Sequence, residues 1–410
     1  MSNTASSKPI RLGIVGLSTG GWAANAHVPA LAHRSLSSTF TLTALQTSSE
    51  TSAAAAKETL SKSWPSVDGG EVKAYHGRDA TDITNDPNVD VIVVSVKAPD
   101  HKAILDKAVA AGKHIFSEYP PGKTLAESEQ IRADVMRNGN IQFQVGLQAT
   151  HSALLRKVKK IIDYGKIGKI LSSTFVANVP RELRYYQPEA NDANLYSLDK
   201  TNGATLLKIP TAHKLSAFIY LLGPFATVSA TGSRQYPTID IYSAQDPTKL
   251  LRTIKSNALD HFTFTGALKS GAHASITWRS GYMSTPGRKN LLWIIDGEEG
   301  SVTFEADDGD IGGKVLGTLD QTKVSVNGKP VDEYMKDEGI EWVDDPALVV
   351  EEHEKGTFFE SIRREWVEFG KSLRGGHGEF VSLDDAIEVQ RVVDAVERSV
   401  ELGGLGINLI

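Results

Sequence analysis

The chain has 410 residues, 40% of them hydrophobic and 23% charged, with a formal net charge of −6 and no cysteine. That length exceeds one ordinary core and implies two domains, and an acidic balance spread along the chain argues against a nucleic-acid surface. No cysteine means no disulfide and no Cys-ligated metal, no apolar run nears the roughly 20 residues of a membrane span, and the polar opening MSNTASSKP suggests no secretory signal, so a cytoplasmic protein without membrane or metal is expected.

In chain order, residues 12–15 form an apolar strand that runs into a glycine cluster and then a helix over 27–32. The cluster reads G-x-S-x-G-G. Gly16 permits the tight turn, while Gly20 and Gly21 let backbone N–H groups approach a phosphate at a helix N-terminus. Ser18 stands where the strict dinucleotide fingerprint has its second glycine, and its hydroxyl can donate to a phosphate oxygen. A strand over 39–46, an Ala-rich helix over 50–61, a β-branched run over 89–96, a helix over 102–111 ending at Gly112 and a short strand over 114–117 follow. This alternation predicts an α/β Rossmann domain over 1–148, a doubly wound parallel sheet whose ligands lie outside the carboxyl ends of its strands. The residues expected to hold a nucleotide fall at those ends: Gly16, Ser18, Thr19, Gly20, Gly21 and Trp22; Thr47, Ser48 and Ser49; Val96, Lys97 and His101; Glu118; and Gln148.

From residue 149 the texture changes. An amphipathic helix over 152–164 and the GKIGKI turn precede strands over 171–176, 226–233, 260–268, 272–278, 290–296 and 301–305, most of them alternating apolar and polar residues. A helix over 383–403 closes the chain. Residues 149–410 thus read as an α+β domain built on a large, mainly antiparallel open sheet.

The succession VGLSTGGWAANAHVPAL, VDVIVVSVKAPDHKAILDKAVAAGKHIFSEYPPGKTLAESE, IIDYGKIGKI and NLLWIIDGEEGSVTFE resembles the Gfo/Idh/MocA family of NAD(P)-dependent oxidoreductases, and within it the fungal branch that includes the repressor of the galactose regulon. The resemblance implies a Rossmann domain, a sheet domain whose open face often forms a homodimer, and a substrate pocket between them. Active members typically carry Glu-Lys-Pro where this chain has Glu118-Tyr119-Pro120. Tyr119 either gives a proton to a developing alkoxide or packs under the nicotinamide ring.

In GATLLKIPTAHKL, the aspartate of active relatives falls near Lys208, and His213 lies five residues on, about 140° around a regular helix. Pro210 argues against that regularity. His213 is the first choice for general acid/base, otherwise a hydrogen-bonded structural histidine; Lys208 either moves a proton or holds an anion. Lys97 is a candidate for both cofactor and substrate. The loop over 181–196 lies where the family forms its substrate lid, and its Arg184, Tyr185, Tyr186 and Tyr196 can stack on and hydrogen-bond a polyhydroxylated or carboxylated ring, or else pack against a dimer partner. With no acid at the end of the second strand before Glu50, NADP is expected over NAD. Two functions follow: an NAD(P)-dependent dehydrogenase or reductase acting on a sugar-like or other polar carbonyl or alcohol, or a catalytically inactive nucleotide-binding regulator that meets a protein partner.

Overall fold

The computed structural model describes residues 8–64, 71–307, 319, 322–355 and 357–409. Its first layer is a six-stranded parallel sheet in the order β3-β2-β1-β4-β5-β6. The strands are β1 (Ile10–Val15), β2 (Phe40–Thr47), β3 (Lys73–His76), β4 (Val91–Val94), β5 (His114–Glu118) and β6 (Phe143–Gly146). β4 is buried on both faces, as a continuous apolar run requires in a parallel sheet covered by helices. The order reverses between β1 and β4, and this switch point opens the crevice in which such sheets take ligands. Gly16 leaves β1 there with φ of +96°, and a Cβ on it would lie 2.1 Å from the Ser95 carbonyl oxygen, so only glycine lets the two strand ends meet.

The second layer is a nine-stranded sheet in the order β17-β16-β15-β14-β7-β13-β12-β9-β18. It comprises β7 (Ile170–Pro180), β9 (Thr227–Ser233), β12 (His261–Ala267), β13 (His273–Tyr282), β14 (Lys289–Gly297), β15 (Ser301–Asp307), β16 (Lys323–Val326), β17 (Lys329–Pro330) and β18 (Ile407–Asn408). Every pairing in it is antiparallel except β7 with β13. Alternate residues of β13, Ala274, Ile276 and Trp278, turn inward, and Trp293 of β14 stacks on Phe304 at 4.9 Å and on Phe218 at 5.7 Å. Phe218 belongs to the helix Ala212–Leu222, which together with Leu383–Glu401 presses on the inner face and joins the core of the first sheet. A separate small sheet, β8 (Glu189–Asn191), β10 (Thr238–Tyr242) and β11 (Leu250–Lys255), carries its own core of Ala190, Leu198, Ile239 and Ile241.

The expected α/β and α+β layers are both present. Their bounds differ where hydrogen bonding stops short of the apolar run: β4 ends at Val94 because residues 95–97 turn out toward the crevice, and Pro99 then opens the helix Ala98–Ala110. The turn into the first helix is π-helical over Ala23–His27 and regular only from Val28. The helices Thr81–Asn85, Leu125–Asn138 and Val331–Asp337 escaped the sequence reading, and so did one that reaches the site. Phe358–Leu373 crosses back onto the first sheet and stacks Trp366 on Phe116 of β5 at 4.4 Å. Its apolar stripe is masked by buried charges, Arg363 paired with Glu354 and Arg364 with Glu360 and Asp344.

Candidate active site

A cavity of about 530 Å³ opens at the carboxyl ends of β4 and β5. Ser95, Val96, Lys97 and Ala98 line it after β4, Glu118 and Tyr119 after β5, and Gln148 after β6. Trp22 comes from the glycine turn and Phe358 from the returning helix, the two rings meeting edge to face at 5.2 Å. The second domain contributes Tyr185, Tyr186, Tyr196, Ala204, Ile209 and His213. A cavity of this size with an aromatic lining and a few convergent polar groups suits a small organic ligand.

The structure brings Trp22, Val96, Lys97, Glu118, Tyr119, Gln148, Tyr185, Tyr186, Tyr196 and His213 of the expected set to this one cavity. Tyr185 and Tyr196 share a hydrogen bond at 3.0 Å, and the Lys97 ammonium sits 4.9 Å above the Tyr196 ring with no carboxylate partner among the described residues. Gly16, Ser18, Thr19, Gly20 and Gly21 form the turn beyond β1, where a Cβ on Gly21 would lie 2.8 Å from the Ser18 hydroxyl. Thr47, Ser48 and Ser49 stand at the end of β2, away from the cavity; Ser49 caps the helix Glu50–Ser63 and Thr47 donates to the Ser49 carbonyl.

Three expected residues are placed elsewhere. His101 is buried behind the wall, its Nδ1 at 2.7 Å from the Pro120 carbonyl and its Nε2 at 3.0 Å from that of Val96; burial lowers its proton affinity, so as a neutral ring it donates to one of the two. Arg184, at φ of +46°, turns to the small sheet, where it pairs with Glu189 at 3.3 Å, stacks on Tyr242 and donates to the Pro247 carbonyl. Lys208 pairs with Glu397 at 3.1 Å and lines a second, smaller cavity of about 150 Å³ on the far side of Tyr119. The reason for this last parting is local: Leu207–Thr211 is a π-helical turn containing Pro210, and the regular helix that carries His213 starts only at Ala212.

The lining groups differ sharply in their electrostatics. Burial alone would raise Glu118, but its hydrogen bond with His27, the nearby His213 and the Trp22 indole together hold it below the usual carboxylate range. Burial pushes the Tyr119 phenol well above its ordinary value, so it is protonated throughout the working pH range and can only donate its proton in a hydrogen bond. His213 is lowered to about 4, chiefly by burial, with Glu118 acting in the opposite sense, so at neutral pH its imidazole is uncharged and able to accept a proton. The Tyr119 and His213 rings lie 5.9 Å apart, edge to face.

Three buried polar atoms on the lining have no hydrogen-bond partner: Ser95 Oγ, Gln148 Nε2 and His213 Nδ1. A buried polar group left unpaired costs about 1–3 kcal/mol. With the cradle at Gly16 and the switch-point crevice, the residues present fit a nicotinamide dinucleotide. Ser95, Phe358 and the His27–Trp366 pair behind Glu118 were missed from sequence; for Ser95 the strand-end position was an available signal, for Phe358 and Trp366 there was none. Among the described residues no cluster of metal-ligating side chains occurs, and no helix is long and apolar enough to cross a membrane.

A parallel sheet with a glycine turn at its switch point, facing a second sheet across a ligand-sized cavity, defines the class of two-domain, nucleotide-binding oxidoreductase folds. Residues 10–147 match the family model "Oxidoreductase family, NAD-binding Rossmann fold", and residues 154–306 match "Gal80p, C-terminal domain". The chain is 30% identical over 406 residues to dehydrogenase aclE of Aspergillus oryzae, covering 97% of this chain and 98% of that protein. It therefore belongs to the Gfo/Idh/MocA oxidoreductase family, with a Gal80p-like C-terminal domain. Its fold matches the crystal structure of a super-repressor mutant of Gal80p from Saccharomyces cerevisiae (TM-score 0.78, 20% identity, 98% of each chain). It also matches levoglucosan dehydrogenase in complex with NADH and L-sorbose (TM-score 0.71, 20% identity, 98% of this chain and 99% of that one).

Proposed function

We propose that this chain is an NAD(P)-dependent dehydrogenase acting on an alcohol carbon of a polyhydroxylated or other polar ring, with His213 as the general base. The observation that carries this reading is His213 itself: an uncharged, buried imidazole on the cavity wall with an unpartnered ring nitrogen, beside a phenol that can only donate. A bound nicotinamide supplies the hydride acceptor or donor. Ser95, Gln148 and the turn from Gly16 to Trp22 would hold it, and the cavity walls would exclude water. His213 takes the hydroxyl proton as the carbinol carbon is oxidised, and Tyr119 steadies the oxygen through its own O–H. Tyr185, Tyr186 and Tyr196 offer ring faces to the substrate, and Lys97 a charge. The preference for NADP gains support from the end of β3, where Gly77 N–H bonds the Thr47 carbonyl and is followed by the exposed Arg78, an arginine that chain order conceals. The open face of the nine-stranded sheet is the surface through which a homodimer would form.

The regulator reading retains one specific support, the commitment of Lys208 to Glu397 together with the tyrosine at 119, which leaves the cavity with one candidate base instead of several. The experiment that separates the two follows reduced-nicotinamide absorbance with NADP or NAD across a panel of sugars, inositols and cyclic alcohols. Substrate-dependent reduction that disappears in His213→Ala supports the enzyme. Tight nucleotide binding without turnover supports the regulator.

A further inference from the structure

Behind the cavity wall runs a chain of three side chains drawn from distant parts of the sequence. Trp366 Nε1 lies 3.1 Å from His27 Nδ1, and His27 Nε2 lies 2.6 Å from Glu118 Oε1. Trp366 and His27 are fully buried, whereas the Glu118 side chain keeps 13% exposure and reaches the cavity. An indole N–H can only donate, so Nδ1 of His27 must be the acceptor and its ring proton sits on Nε2. That proton is therefore donated to Glu118 in a short hydrogen bond. His27 is locked in one neutral tautomer, packed edge to face on Phe116 at 5.0 Å and on Trp366 at 5.7 Å, and it cannot become a second cation without giving up the indole. The result is a single fixed negative charge on the wall. Among the described lining residues the other charge is the Lys97 ammonium, which is occupied with the Tyr196 ring.

A nicotinamide ring is positively charged when oxidised and neutral when reduced, so a fixed carboxylate in a poorly solvated wall discriminates between the two forms. We infer that the Trp366–His27–Glu118 chain tunes this site to hold oxidised nicotinamide more tightly than reduced, with His27 and Trp366 as positioning residues that act through Glu118. This rests on the reading of the cavity as a nicotinamide site. It deepens that reading by assigning the redox form of the cofactor that the site favours.

The test measures dissociation constants of NADP, NADPH, NAD and NADH by calorimetry on the full chain at neutral pH, for the wild type and for Glu118→Gln and Trp366→Phe. Glu118→Gln keeps the shape and removes the charge, and should lower the ratio of reduced-form to oxidised-form dissociation constants roughly tenfold, by weakening the oxidised form. Trp366→Phe retains the ring that stacks on Phe116 but deletes the N–H, freeing His27 to change tautomer. It should shift the same ratio roughly two- to threefold, and nitrogen NMR of His27 should show loss of the pure Nε2–H form. A merely structural role would weaken both nucleotide forms by one factor and leave the ratio unmoved. An unchanged ratio in Glu118→Gln overturns the inference while leaving the nucleotide site standing; failure of every form to bind the wild type overturns the reading of the site itself.

Discussion

The two walls of the cavity treat their ionisable groups in opposite ways. On the Rossmann side Glu118 is held by His27, which is held by Trp366, and His101 lies buried between the Val96 and Pro120 carbonyls, so the charge is settled before any ligand arrives. On the other side His213 is buried with Nδ1 unpartnered, and the lid tyrosines bond mainly to one another. One wall is thus preorganised by its own hydrogen bonds. On the other, the His213 Nδ1 is buried without a partner.

The sharpest way to break this contrast is to remove the free group. His213→Ala is expected to reduce kcat by roughly 10²- to 10⁴-fold, the usual worth of a general base, while nucleotide affinity stays within about twofold by calorimetry. A loss of nucleotide affinity as large as the loss of turnover would place His213 on the wrong wall.

The next test weakens the scaffold of the fixed wall. Arg363, buried on the helix that also carries Phe358 and Trp366, holds Glu354 down at about 2 through a two-point ion pair. A carboxylate whose folded value lies below its unfolded one contributes stability that is complete above the unfolded value, near 4.5, and is lost as pH falls through about 2. Glu354→Gln should therefore cost about 3 kcal/mol at neutral pH in urea unfolding, and the deficit should close as the wild type is acidified over that window. A deficit independent of pH would mean that the pair is not its cause.

Acidity sharpens the contrast further. A histidine at its ordinary value would lose base activity below about pH 6.5, whereas His213, lowered to about 4, should keep kcat/KM for alcohol oxidation flat down to about pH 5. Because Glu118 raises the proton affinity of His213, Glu118→Gln should move that acid limb lower still. The smallest effect is expected outside the cavity: Arg184→Ala should leave kcat/KM within about twofold, since its guanidinium serves Glu189, Tyr242 and Pro247, whereas Lys97→Met should raise KM roughly tenfold if the ligand meets that ammonium.

What the sequence disclosed was local in character. The strand into Gly16, the β-branched run of β4, the Glu118-Tyr119-Pro120 turn and the tyrosines of the lid announce themselves within a few residues, and they all lie at or beside the cavity. What it concealed depends on long-range packing. The helix Phe358–Leu373 hides its apolar stripe among charges that are neutralised only in the fold, so neither Phe358 on the cavity nor Trp366 behind it could be anticipated. Lys208 and His213, five residues apart, were separated by a π-helical turn whose irregularity Pro210 foretold but whose direction it did not. Arg184 was read with the lid tyrosines, but its left-handed backbone turns it to the neighbouring small sheet.

The account stands most directly on turnover through His213. In purified protein with NADP, the appearance of reduced-nicotinamide absorbance on addition of a cyclic polyol, present in the wild type and abolished in His213→Ala at unchanged nucleotide affinity, is the result expected. Nucleotide bound with no reduction by any member of the panel, or equal rates in the two proteins, would contradict it.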